Sequence, residues 1–188
     1  MGGVWKNLPY TYIFMIIGTL ALTGFPFLSG FYSKDAIIEY AYLKGNTVGY
    51  LAAFIGIFTA FLTSIYSWRL IFKTFHGKYN NTKINKSSMH ESPLIMLIPL
   101  FVLALGAIGS GFLFKSLFLD YNFWGDSIKF LEPLSKEHPP IWFIYFTPIL
   151  VIISIPLSFY LFLKNQNFLN EIVEMNKPFY NFLKNKWY

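Results

Sequence analysis

Long apolar runs separated by short polar stretches set the pattern of this chain. Four runs stand out, at roughly residues 10–43, 50–72, 93–114 and 141–163. Each of the last three is long enough to cross a hydrocarbon core of ~30 Å, which takes about 20 apolar residues as a helix. The first run is different. An apolar stretch over about 10–23 meets Gly24-Phe25-Pro26, and a second stretch resumes after Gly30 over about 31–43, with Lys34 and Asp35 in its first turn. Gly tolerates unusual backbone angles and Pro lacks a donor, so together they end a helix. Neither half spans a bilayer alone, while one straight helix made of both would reach about 50 Å. A single crossing by two half-helices, broken near the midplane, fits the length. A re-entrant hairpin at 24–30 is the alternative. Irregular backbone at that depth persists only when buried in protein or lining a wet cavity.

The remaining stretches follow the same logic. Lys44-Gly45-Asn46-Thr47 reads as a turn, and Gly106, Gly109 and Gly111 in the third span would let a neighbouring helix approach closely. The tail, 164–188, is no fifth span. Its Phe168, Leu169, Ile172, Val173, Phe179, Tyr180, Leu183 and Trp187 recur near a 3.6 period with Lys and Glu opposite, and Pro178 interrupts it. That is an amphipathic segment lying on the membrane surface. The expected fold is an all-α integral membrane protein. It has about four transmembrane spans over residues 1–163, the first discontinuous, and an interfacial tail over 164–188.

Composition agrees: 55% of the residues are hydrophobic and 13% charged, with five Trp, thirteen Tyr and twenty-two Phe. The Trp residues fall near predicted span ends or on the tail, as an interfacial belt requires. With no cysteine, thiolate zinc sites, disulfides and iron–sulfur clusters are excluded within these residues. The net charge of +6 comes from residues flanking the spans rather than from a stripe, so it speaks for topology and against nucleic acid. With one crossing for the first run, ten Lys and Arg fall on the amino-terminal side and four opposite, with Lys34 between. The amino end, the 76–92 loop and the tail therefore face the cytoplasm or its equivalent. A hairpin would give nine against five, which leaves it open.

Lys34 is the residue with chemistry to explain, because a cation at the midplane costs at least ~2.5–3.5 kcal/mol. Two readings stand. Lys34 either snorkels to an interface or relays protons in a hydrated channel, where desolvation suits the amine to reversible protonation. Asp35 points about 100° away and is expected at the half-helix N-terminus, where a carboxylate is favoured. His76 and His90 lie near one membrane face and His138 near the other. Interfacial roles, or proton entry through His76, suit them better than a bridged haem. Ser29 and Ser33 beside Lys34 show no device for Ser–Lys hydrolysis, and no glycine-rich loop supports nucleotide binding.

Leu20-Ala21-Leu22-Thr23-Gly24-Phe25-Pro26-Phe27-Leu28-Ser29-Gly30-Phe31-Tyr32-Ser33-Lys34-Asp35-Ala36-Ile37-Ile38-Glu39 resembles the discontinuous, lysine-bearing helix of the antiporter-like subunit L family of respiratory complex I, the NADH:quinone oxidoreductase. The run from Ala60 to Lys78, with Trp68-Arg69 and Phe75-His76-Gly77, is similar to the helix that follows. His90-Glu91-Ser92-Pro93-Leu94 resembles the start of the next, and Asn185-Lys186-Trp187-Tyr188 the lead into a long lateral helix. The resemblance implies a part of a redox-driven proton pump in a bacterial cytoplasmic or mitochondrial inner membrane. Lys34 would be its proton relay, supported by Asp35, Gly24, Pro26, Gly30, Ser33 and His76. It also implies no cofactor in this chain. NADH, FMN, iron–sulfur clusters and quinone would be bound by other subunits of the complex, and the partners would be membrane-arm subunits, lipid and protons. The family's amino-terminal helices and its lateral helix would lie outside these residues, so a carboxyl-terminal fragment beginning at an internal methionine is expected. The alternatives are a subunit of a multi-subunit cation/proton antiporter and, further off, a haem-binding or structural membrane anchor.

Overall fold

The computed structural model describes residues 2–78, 89–119, 123 and 139–186. Lys83, Lys86, the acidic residues from Asp120 to Glu137, His138 and Trp187 lie outside them. Helix α1 spans Pro9–Thr23, and α2 spans Ser29–Leu43. Helix α3 spans Thr47–Ile71 and runs on through a π-helical turn, Phe72–His76. Helix α4 spans Leu94–Leu119, and α5 spans Ile141–Phe159 with a second π-helical turn at Tyr160–Lys164. Two short helices follow, α6 at Gln166–Met175 and α7 at Lys177–Lys184. Among the described residues there is no strand. Thr47–His76, Leu94–Leu117 and Ile141–Lys164 are long and apolar enough to cross a membrane, and α1 is a shorter apolar helix. The chain is an integral membrane protein.

Local sequence accounts for most boundaries. Asn46 caps α3, its Oδ1 accepting from the Gly49 N–H at 2.7 Å, so the helix starts three residues before the expected span. Pro140 precedes the first turn of α5, and Pro9 opens α1, a position where the missing N–H costs nothing. The tail breaks at Asn176, before Pro178 and not at it. Pro178 cannot donate back to Glu174, so α6 ends first and the proline is taken into the first turn of α7.

Contacts along α3 fix the path of the first run. The near end of α1 meets the end of α3, where the Tyr12 hydroxyl lies 2.7 Å from His76 Nε2 and the Tyr12 ring packs on Phe75. Further along, Ile16 and Leu20 join the cluster around Trp68, Ile71 and Phe72. Beyond the break, Ile38 packs on Ala53 and Ile57, and Tyr42 meets Tyr50 near the start of α3. Helices α1 and α2 thus lie end to end, antiparallel to α3. A hairpin would bring both ends to one level, and the arrangement is not that.

Helix α5 runs parallel to α3. Phe143 sits with Ala53 and Ile57, the Ser64 and Ser154 hydroxyls are hydrogen-bonded, Phe72 meets Phe159, and Arg69 and Lys73 lie over Phe162. One end of the bundle, the amino face, therefore gathers the start of α1, the ends of α3 and α5, and the approach to α4. Trp68 is only 6% exposed there, because α3 extends past it; it is core and not an interfacial anchor. Of the three glycines in α4, Gly111 alone is closely approached. A Cβ there would come within 2.8 Å of the Ser29 Cα, whereas Gly106 has nothing within 4 Å and Gly109 only Leu113 of its own helix.

Candidate functional site

The site is the junction of α1 and α2. Helix α1 ends in a Schellman motif. Gly24 adopts φ 80°, its N–H bonds Ala21 O, and the Phe25 N–H bonds Leu20 O at 3.0 Å. Phe25 to Leu28 then form a turn closed by the Leu28 N–H on Phe25 O at 3.2 Å, with Pro26 second and Phe27 third at φ 72°. That is the residue order and sign of a type II turn. Extended backbone at Leu28 leads straight into α2.

Two carbonyls of α1 are met by the Schellman bonds. The next, Leu22 O, accepts instead from Lys34 Nζ at 2.5 Å. The lysine, half-buried, reaches back from α2 towards α1 and away from the face at which α2 ends. Its ammonium therefore sits at the negative end of the α1 dipole. The two helix ends approach so closely that a Cβ on Gly30 would run into the Ala21 carbonyl oxygen, and one on Gly24 would touch the Lys34 stem at 3.4 Å. Among the sequence-selected residues, Gly24, Pro26, Gly30 and Lys34 come together here.

Others do not sit as expected. Helix α2 begins at Ser29, two residues before the expected start, because Gly30 fits inside the first turn. Asp35 is therefore in the second turn and not at the N-terminus, and its buried Oδ2 has no hydrogen-bond partner among the described residues. Ser33 donates to Gly30 O at 3.3 Å, a bond within its own helix. His76 lies at the amino face, bonded to Tyr12 and stacked on Trp5. His90 Nδ1 lies 3.0 Å from Glu91 O, so the two histidines are engaged separately.

Sequence reasoning missed two features. A cavity of about 260 Å³ beside the break is lined by Ser29, Tyr32, Ser33, Ser110 and Lys115, with the Lys115 ammonium 5.0 Å from the Tyr32 ring centre. More telling is Glu91. Leu8 offers α1 no side-chain cap, and α1 has no acidic residue in its first turn and no basic one in its last. Glu91, just ahead of α4, supplies the cap: Oε1 accepts from the Tyr10 and Thr11 N–H groups at 2.7 and 3.2 Å, and Oε2 accepts from Thr11 Oγ1 at 2.8 Å. A carboxylate at one end of α1 and an ammonium at the other both come from elsewhere in the chain. The bare first turn, apolar at Leu8, is the one hint the sequence carries.

Comparison with known proteins adds to this geometry. Residues 1–67 match the family described as NADH:quinone oxidoreductase/Mrp antiporter, TM. NADH-ubiquinone oxidoreductase chain 5 of Phytophthora infestans is 41% identical over the full length of this chain, which covers 30% of that protein. The protein of the same name from Chondrus crispus is 38% identical over the full chain and 30% of its own length. That from Marchantia polymorpha is 47% identical over 70% of the chain and 20% of its own length. The chain thus spans less than a third of the relatives it matches. Over residues 1–67 it matches that membrane-spanning family, and over its whole length it is similar to a stretch of NADH-ubiquinone oxidoreductase chain 5.

Proposed function

We propose that these residues form part of the proton-translocating membrane arm of an NADH:quinone oxidoreductase, in the position of its distal antiporter-like subunit, with Lys34 as the proton relay. The observation that carries the proposal is the bond from Lys34 Nζ to Leu22 O across the helix break. A snorkelling lysine would extend to the nearer interface. Lys34 turns inward, to a carbonyl that only the break leaves free. While protonated, it is held by the α1 dipole. Loss of the proton removes the charge and most of that attraction, so the amine can leave Leu22 O, and regaining a proton draws it back. The break thus supplies a state-dependent anchor for a mobile charge. Gly24 leaves room for the stem, Gly30 for the approach of α2, and the Pro26 turn fixes the angle. The broken run crosses the membrane once, the amino face is cytoplasmic or its equivalent, and NADH, FMN, iron–sulfur clusters and quinone sit on other subunits.

The test uses the full-length subunit in its complex. Lys34→Met should leave assembly intact, since it removes a costly intramembrane charge, while proton pumping and the coupled quinone reduction fall. Lys34→Arg should also impair pumping, because guanidinium keeps its proton at physiological pH. Full pumping by the arginine variant would falsify the relay. The matching family's description also includes Mrp antiporters, which favours as a second reading the exchange of cations through the same break. Pumping that requires sodium would select it.

A further inference from the structure

Away from the break, the parallel helices α3 and α5 meet along small hydroxyl residues. Ser154 donates to Val151 O at 2.6 Å, so its single proton is used, and Ser64 must donate to Ser154 Oγ. That layer is complete. Four residues on in each helix come Trp68 and Ser158, which the parallel register places on the next layer. The layer is closed above by Phe72 and Phe159, whose ring centres are 5.6 Å apart, and Phe72 stacks on Trp68 at 5.4 Å. Trp68 is 6% exposed and Ser158 0%, yet among the described residues neither Trp68 Nε1 nor Ser158 Oγ has a hydrogen-bond partner. Ser67 Oγ, on the same turn of α3, is a third such atom.

Two buried, unpartnered polar atoms at one level of two packed helices call for a third group, because lipid offers none. An internal water is the chemistry that fits: it accepts from an indole N–H and exchanges a hydrogen bond with a hydroxyl, and such waters typically bridge groups of this kind. We propose that the α3–α5 interface binds one water molecule between Trp68 Nε1 and Ser158 Oγ, one turn beyond the Ser64–Ser154 bond. The site is built wholly from these two helices. It stands whether or not Lys34 relays protons.

Pulsed radiolysis tests it, because hydroxyl radicals made from a bound water oxidise the side chains beside it even where bulk solvent is excluded. In the full-length protein in its native membrane, Trp68 should be oxidised, while Phe143, 5% exposed on the same face of α5, should not. Ser158→Ala should lower Trp68 oxidation to the level of Phe143. Ser154→Ala, which removes the neighbouring hydroxyl alone, should leave Trp68 labelling unchanged. An unlabelled Trp68 in the natural protein, equal labelling in Ser158→Ala, or an equal loss in both variants overturns the proposal.

Discussion

Gly24 and Gly30 serve the break in different ways. Gly24 holds a left-handed angle that costs other residues about 1–2 kcal/mol, and its role was legible because Gly followed by Pro after an apolar run marks a helix end. Gly30 has an ordinary helical backbone. Its need for no side chain comes from the Ala21 carbonyl oxygen, nine residues back, and no local pattern shows that. Nor does any pattern announce that Phe27 takes a positive φ, since the third position of such a turn usually falls to Gly. Gly30→Ala should therefore be the more disruptive change. The added methyl meets backbone, which cannot rotate away, so a loss of roughly 1–3 kcal/mol is expected. The thermal inactivation midpoint of the full-length subunit in its complex reads this. An unchanged midpoint would show that the two half-helices separate more easily than their contact implies.

Among the elements, α1 shows where sequence reading stops. Its length, its Pro9 start and its Gly24 stop are local and readable. Its capping is not, because Glu91 lies 80 residues from Thr11 along the chain. The same limit hid the burial of Trp68, which looked terminal because the apolar run ends near 72, whereas the π-helical turn Phe72–His76 carries α3 one turn further. Removing the cap should loosen the first turn. Glu91→Ala takes away acceptors for two backbone donors and a charge favoured at that end, a cost of about 1–2 kcal/mol. Amide hydrogen exchange in a peptide covering residues 9–14 should speed up. If it stays as slow as in the natural protein, Glu91 is not what holds the turn closed.

For the whole molecule, alternation of direction was readable and neighbour relations were not. Run lengths mark the order of spans and turns, but nothing in the sequence says that α5 skips α4 to lie parallel against α3, because Ser64 and Ser154 resemble many other serines in apolar runs. The bundle makes a definite statement about sides. The turn after α2 and the end of α5 lie at opposite ends, and the ends of α3 and α5 lie together. Cysteines placed at Lys44 and Lys164 should thus be labelled from opposite sides of sealed vesicles, and one at Lys78 from the same side as Lys164. Labelling of positions 44 and 164 from one side would sink the parallel arrangement of α3 and α5 across the membrane.

The two foreign charges at the ends of α1 make that helix a spacer of fixed length. The Glu91 pin at Tyr10 and the Lys34 pin at Leu22 are 12 residues apart, about 18 Å along its axis. Losing one residue would shorten it by about 1.5 Å and turn one end against the other by about 100°, so both pins could not be met together. Composition is freer than length. Gly18, with nothing within 4 Å of where a Cβ would stand, should accept alanine with a gain of up to ~1 kcal/mol in helix propensity. Deleting Gly18 should instead abolish pumping in the assembled complex while Gly18→Ala pumps normally, and equal pumping by the two would mean that the pins do not set the position of Lys34.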